Sequence, residues 1–208
     1  STQLSELELR CACQEASNAN KTTAAHTIGT EGIKNAIRAG VTTIEHAYLL
    51  DDEAVDLMKS HGTYVVPTLV APTLILDNTT GIPDYMIEQV KALIEEHRVS
   101  FKKAYKAGIP IAAGTDAGTP YNFPGLMAEE VTLYVKEGMT PIDAIKSATI
   151  TAAKVVQSEH VIGSLEVGKY ADIILLNGNP LVDMSALKKI DAVFTNGSIA
   201  YSKGWEWK

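Results

Sequence analysis

Apolar positions along the first 157 residues fall in short blocks that alternate between helical spacing and compact runs. Leu4, Leu7, Cys11, Ala12 and Ala16 keep helical intervals, and the polar Ser17-Asn18-Ala19-Asn20-Lys21 closes them, which predicts a first helix over 4–19. Thr22 to His26 then reads as a strand. Gly29 opens a helix carrying Ile33, Ala36 and Ile37 on one face and Gly40 ends it, followed by a second strand over Thr42 to His46. The pattern repeats with a helix from Asp51 to Ser60, Gly62 as its stop, and a third strand from Tyr64 to Leu69. A long connection through Pro72, Gly81 and Pro83 leads to a helix over Tyr85 to Ala107, whose Met86, Val90, Leu93, Ile94, Phe101 and Ala104 form one stripe. Ile109 to Gly114 is a fourth strand, and helices follow near Leu126 to Lys136 and Ile142 to Gln157. The second of these is announced by Thr140-Pro141-x-Asp143, a capping box with Pro in the first turn.

Short apolar strands alternating with helices imply an α/β fold of parallel βα units with right-handed crossovers, either a Rossmann-like sheet or a (β/α) barrel. A dinucleotide-binding sheet requires G-x-G-x-x-G after a strand, and the sequence holds none. After about residue 158 the texture changes to strands and turns: Gly163-Ser164-Leu165, Ala171 to Leu176, Ala192 to Thr195, and Asn196-Gly197 as a hairpin turn. The chain therefore divides into residues 1–157 and a β-rich module, residues 158–208.

Composition narrows the function classes. With 46% hydrophobic and 21% charged residues the 208-residue chain is globular, and 18 Lys and Arg against 25 Asp and Glu, a net charge of −7 without a basic run, argue against nucleic acid as a partner. The longest apolar stretch, Val65 to Leu76, is interrupted by two Pro and two Thr and is too short to cross a membrane. The start has no signal-peptide pattern, and it lacks Met, which points to processing or to a piece of a longer protein. Cys11 and Cys13 are too few for a disulfide framework, so the expected setting is the reduced cytoplasm.

Candidate chemistry sits at strand ends. His26 and His46 close the first two strands and Asp116 follows the fourth. Parallel βα proteins bind ligands beyond the carboxyl ends of their strands, so all three are expected to point into one mouth, where two imidazoles and a carboxylate make a zinc set. The plainer reading, that each histidine bonds a neighbour in the core, loses weight because three such residues coincide. His61 at a helix C-terminus and His97 on the long helix read as structural or solvated, and Glu95-Glu96 and Glu129-Glu130 as solvated faces. Gly163 to Tyr170 is one residue from a phosphate-binding loop, but Tyr170 cannot replace the small hydroxyl, and a strand follows where a helix is required. The sequons at Asn78 and Asn196 are chance matches.

Three stretches together resemble the amidohydrolase superfamily, in its imidazolonepropionase-like and prolidase-like branch. They are Ala24-Ala25-His26-x-x-Gly29-Thr30-Glu31-Gly32-Ile33 with Ile44-Glu45-His46-Ala47, then Ala113-Gly114-Thr115-Asp116-Ala117-Gly118, and last Thr149-x-x-x-Ala153 through Ile162-Gly163-Ser164-Leu165-x-x-Gly168-Lys169-x-Ala171-Asp172. The resemblance implies the C-terminal half of a metal-dependent (β/α)8 barrel, strands five to eight, followed by part of a small β-sandwich. It places His26 and His46 as metal ligands on strands five and six and Asp116 as the strand-eight aspartate. The family's His-x-His on strand one and its carboxylated lysine on strand four have no counterpart before His26. Some prolidase-like members carry a tyrosine two residues after the strand-five histidine, where Ile28 stands here.

The activity so implied is hydrolysis of a C–N amide bond in a dipeptide, an N-acyl amino acid or a cyclic amide. Water is activated by a divalent metal, zinc in the first instance, with one or two ions in the full-length protein. His26, His46 and Asp116 are the expected ligands and Asp116 also the expected proton acceptor. The alternative is a non-catalytic, self-associating domain. Four βα units leave open edges at Thr22 and Ile109 and an inner face with Ala24, Ile44, Val65 and Ile111 among its candidates. A homo-oligomer, or association with the missing barrel half, is expected to cover them.

Overall fold

A computed structural model describes residues 2–204. It begins with α1 (Glu6–Asn18), started by a capping box in which Ser5 and Glu8 bond each other's backbone. Three βα units follow: β1 (Ala24–Thr27), α2 (Thr30–Ala39), β2 (Thr43–His46), α3 (Asp52–His61), β3 (Tyr64–Val66) and α4 (Val70–Asp77). The strands pair in parallel in the order β1-β2-β3, with Thr27 opposite His46 and Glu45 opposite Val66. The long helix α5 (Asp84–Lys106) leads to an extended segment, then α6 (Met127–Lys136) and α7 (Pro141–Lys146). A π-helical turn, Ser147–Thr151, joins α7 to the short α8 (Ala152–Val155). An antiparallel sheet of β4 (Ile173–Leu176), β5 (Ile190–Thr195) and β6 (Ser198–Ser202) follows.

Four of the expected elements change. The third strand stops at Val66 because Pro67 cannot donate to a ladder, and α4 occupies much of the predicted connection. Pro72 lies in the first turn of α4, where a missing N–H removes no helical bond. The fourth strand reduces to a single bridge at Ile111. Ala112 N–H donates to Val65 O and Val65 N–H to Pro110 O, whereas Ala113 N–H leaves the sheet and donates to Ser147 O at 3.0 Å. That carbonyl lies in the π turn, so the break in the predicted 142–157 helix is what holds the segment before Asp116.

The core lies between the parallel sheet and its helices. Ile33, Ile37, Ile44, Met58, Val65, Phe101 and Tyr134 are among its largest buried side chains, and the rings of Phe101 and Tyr134 stack at 5.0 Å. Ile44, Val65 and Ile111, expected on a partly open inner face, are instead buried in this core, while Ala24 is exposed. Strand alternation is the reason: Ala25, Ile44 and Val65 share the helix-covered side, and Ala24, Glu45 and Val66 take the other. The antiparallel module is tied in through the 3₁₀ turn Met184–Lys188, whose Met184 joins the core and whose Lys188 pairs with Glu129 at 2.7 Å. Gly163 to Tyr170 leads to β4 and not to a helix, and Lys169 is spent locally on Ser164, consistent with rejecting a phosphate loop.

Gly163 anchors this junction. Its φ is +90°, and a Cβ there would lie 2.7 Å from Ala153 Cβ and 3.0 Å from Ile150 Cα, in the π turn and the helix after it. Left-handed strain and overpacking add, so Gly163→Ala is expected to destabilise the fold by about 2–3 kcal/mol, read as a shifted denaturation midpoint.

Candidate active site

All parallel strands end on one side of the sheet, and the candidate residues gather there. His26 is the penultimate residue of β1, His46 ends β2, Thr68 lies just after β3, and Asp116 follows the segment bridged at Ile111. By register alone His26 and His46 belong to opposite faces, because His26 lies opposite Glu45 while His46 lies opposite Thr27. The backbone resolves this. His46 has φ +71° and Ala47 φ +51°, both left-handed, so alternation ends at His46 and its ring meets that of His26 with centroids 4.6 Å apart at 73°. Thr68 (φ +55°) and Asp116 (φ +56°) are left-handed as well. A β-branched threonine rarely adopts this conformation, and such strain concentrates where side chains must be aimed.

His46 is half-buried, and its pKa is lowered by burial and by the neighbouring His26, with Asp116 acting in the opposite direction. The imidazole is therefore neutral at ordinary pH, the form that binds a metal. The charge of Asp116 also reaches Glu45 and Tyr48. Burial raises the pKa of Glu45, partly offset by the hydroxyl of Thr43, and pushes the Tyr48 phenol to about 12, so Tyr48 keeps its proton. Tyr48 stacks on His97 with centroids 3.9 Å apart, and His97 is buried. This agrees with a structural reading of His97. His61 is likewise local, with Nδ1 bonded to Leu57 O and Ser60 Oγ at the end of α3.

Asp116 is exposed, but its backbone is fixed from below. Asn122, 1% exposed, donates from Nδ2 to the carbonyls of Thr115 (2.5 Å) and Asp116 (2.9 Å) and to Thr119 Oγ1 (3.1 Å). Asn122→Ala is expected to cost about 1–3 kcal/mol through the orphaned carbonyls, measured by chemical denaturation. Nothing in Pro120-Tyr121-Asn122-Phe123-Pro124 marks this asparagine except its turn-rich surroundings. Glu130, read from sequence as part of a solvated face, is fully buried and accepts Leu69 N–H and Val70 N–H, each at 2.7 Å, at the start of α4. The correction has a simple cause: the α4 N-terminus offers unpaired donors that only a tertiary neighbour can meet.

The donor set suits a divalent ion in kind. Two imidazoles are adjacent, one of them held neutral, the His26 ring makes no hydrogen bond to any described residue, and a carboxylate acts on His46. Among the described residues, no three His, Cys, Asp or Glu side chains are gathered closely enough to hold an ion by themselves. The structure thus brings His26 and His46 together and leaves Asp116 within electrostatic reach.

Residues 1–200 match the family model of the amidohydrolase family. The chain belongs to that family. It is 36% identical over 194 residues to ochratoxinase of Aspergillus niger, covering 92% of this chain and 40% of the relative. Imidazolonepropionase of Fusobacterium nucleatum is 27% identical over 180 residues, with 83% and 38% covered. A solved structure of a Xaa-Pro dipeptidase with methionine bound in its active site superposes with a TM-score of 0.89 at 36% identity, over 97% of this chain and 50% of that one. The chain thus spans two fifths to a half of the length of these relatives. Among the described residues no helix is long and apolar enough to cross a membrane.

Proposed function

We propose that this chain supplies strands five to eight of a metal-dependent amidohydrolase barrel, and that the whole protein hydrolyses C–N amide bonds of dipeptides, N-acyl amino acids or a cyclic amide. The observation that carries this reading is the 4.6 Å approach of His26 and His46 at the carboxyl edge of a parallel sheet, under the field of Asp116. His26 and His46 would hold a divalent ion, zinc by the chemistry of the donor set, with Asp116 as a further ligand and the remaining ligands from the rest of the protein. Such an ion supplies an acidified water and a polarised carbonyl. Asp116 accepts the proton of the attacking water and passes it to the leaving nitrogen. The relatives' names, an ochratoxinase and a Xaa-Pro dipeptidase, support a small-molecule amide as substrate.

Residues 1–157 form the half-barrel in this reading, and residues 158–208 contribute to a composite β-sandwich, which would cover the exposed Ile174, Leu175 and Tyr201. Free Cys11 and Cys13 fit a reducing, cytoplasmic setting. The second reading, a non-catalytic domain that self-associates, is favoured by one observation: among the described residues β1 and the segment at Ile111 each pair on one side only. Elemental analysis of the purified protein, with turnover measured on a panel of dipeptides and N-acyl amino acids, separates the two. Bound metal with turnover supports the hydrolase. A folded, metal-free, inert and dimeric protein overturns it in favour of the second reading.

A further inference from the structure

Behind His46 lies a chain of hydrogen bonds whose protons can be counted. Pro67 O, a carbonyl that can only accept, receives Thr68 Oγ1 at 2.7 Å and His97 Nε2 at 2.8 Å. His97 must therefore carry its proton on Nε2. The ring is buried, and burial lowers its pKa to about 4 against the pull of the Pro67 and His46 backbone. Thr68 has one hydroxyl proton, and the bond to Pro67 O uses it. The 2.6 Å contact between Thr68 Oγ1 and His46 Nδ1 then requires the imidazole to be the donor.

We infer that Thr68 is a positioning residue that fixes His46 as the Nδ1–H tautomer and so leaves Nε2 bare, while His97 anchors the carbonyl on which Thr68 leans. The inference rests on the proposed function only for its use: a bare Nε2 is what an ion would need, whereas the tautomer belongs to this chain with or without one. The backbone agrees with that role. His46 and Thr68 are both left-handed, and each side chain is aimed at the other across the ends of adjacent strands. His97 cannot move to release the carbonyl, being buried and stacked at 14° on Tyr48, two residues beyond His46. A free neutral histidine side chain favours the Nε2–H form, so the arrangement inverts the intrinsic preference.

The test is two-bond ¹H–¹⁵N correlation spectroscopy of the intact protein, stripped of metal, labelled on histidine and held above the histidine titration range. The His46 signals are assigned by their loss in His46→Gln. A protonated Nδ1 and an unprotonated Nε2 on His46 are expected. Thr68→Val, which keeps the shape and removes the hydroxyl, should return His46 to Nε2–H, and Thr68→Ser should restore Nδ1–H. Zinc affinity, measured by chelator competition, should fall about 10–100-fold in Thr68→Val and recover in Thr68→Ser. An Nε2–H His46 in the unmodified protein overturns the inference, and that spectrum decides it even if the valine variant does not fold. Wild-type Nδ1–H without zinc binding leaves the inference standing and removes the metal reading. Zinc binding that is equal in wild type and Thr68→Val, with Nε2–H in both, does the reverse.

Discussion

Asp116→Asn is expected to lower turnover by roughly 10²–10⁴-fold while bound metal and stability stay close to those of the parent. The amide oxygen can still approach an ion, but it cannot take up the proton of water. The substitution is structurally mild for a stated reason. Asp116 has φ +56°, a conformation that asparagine tolerates as readily as aspartate, and the bond from Asn122 meets Asp116 at its backbone carbonyl and not at its carboxylate. The melting transition should therefore move by no more than about 0.5 kcal/mol in free energy. Parallel measurement of kcat, metal content by elemental analysis, and denaturation distinguishes loss of a proton acceptor from loss of a ligand or of the fold. Full turnover in the metal-replete variant would remove Asp116 from the chemistry.

The second large effect belongs to Glu130. Glu130→Ala leaves the N–H groups of Leu69 and Val70 unpaired and opens a cavity beside Tyr134, and should destabilise the protein by roughly 3–5 kcal/mol. Glu130 also sets a pH dependence. Burial raises its pKa from 4.5 to about 7, with the two backbone donors and Tyr134 pulling the other way. Because the folded-state value is the higher one, the native state holds the proton more tightly than the unfolded chain. The associated stability is complete below about pH 4.5 and is lost as pH rises through 7. Between pH 5 and pH 7 this single group accounts for a fall of about 2 kcal/mol. Glu130→Gln cannot titrate, and its amide nitrogen faces one of the two N–H groups. It should be less stable than the parent at pH 5, and the gap should close toward pH 7. Urea denaturation of both proteins across this range tests the sign directly, and a gap that widens with pH would show that Glu130 stays ionised in the fold.

Local chemistry made much of the fold legible in the sequence. Gly40 and Gly62 end α2 and α3 in left-handed caps, Thr140 and Pro141 start α7, and Asn196-Gly197 turns β5 into β6, all as expected from side chains within a few residues of the event. The parallel direction of β1, β2 and β3 followed from the alternation of strands and helices, and with it the side of the sheet where His26, His46 and Asp116 lie. These features depend on short-range periodicity and on a topological rule, both of which a sequence carries.

Tertiary structure decided the rest, because those features depend on partners far along the chain. The helix α4 begins where Glu130, sixty residues away, accepts its first N–H groups. The segment before Asp116 leaves the sheet because a π turn offers it the carbonyl of Ser147. Period-two alternation would part His26 from His46, and only the left-handed backbone at His46, with Thr68 bonded to its ring, brings the two imidazoles together. A sequence states which residue types are present at strand ends. Backbone strain, which sets where their atoms point, is sustained only by the packing around them.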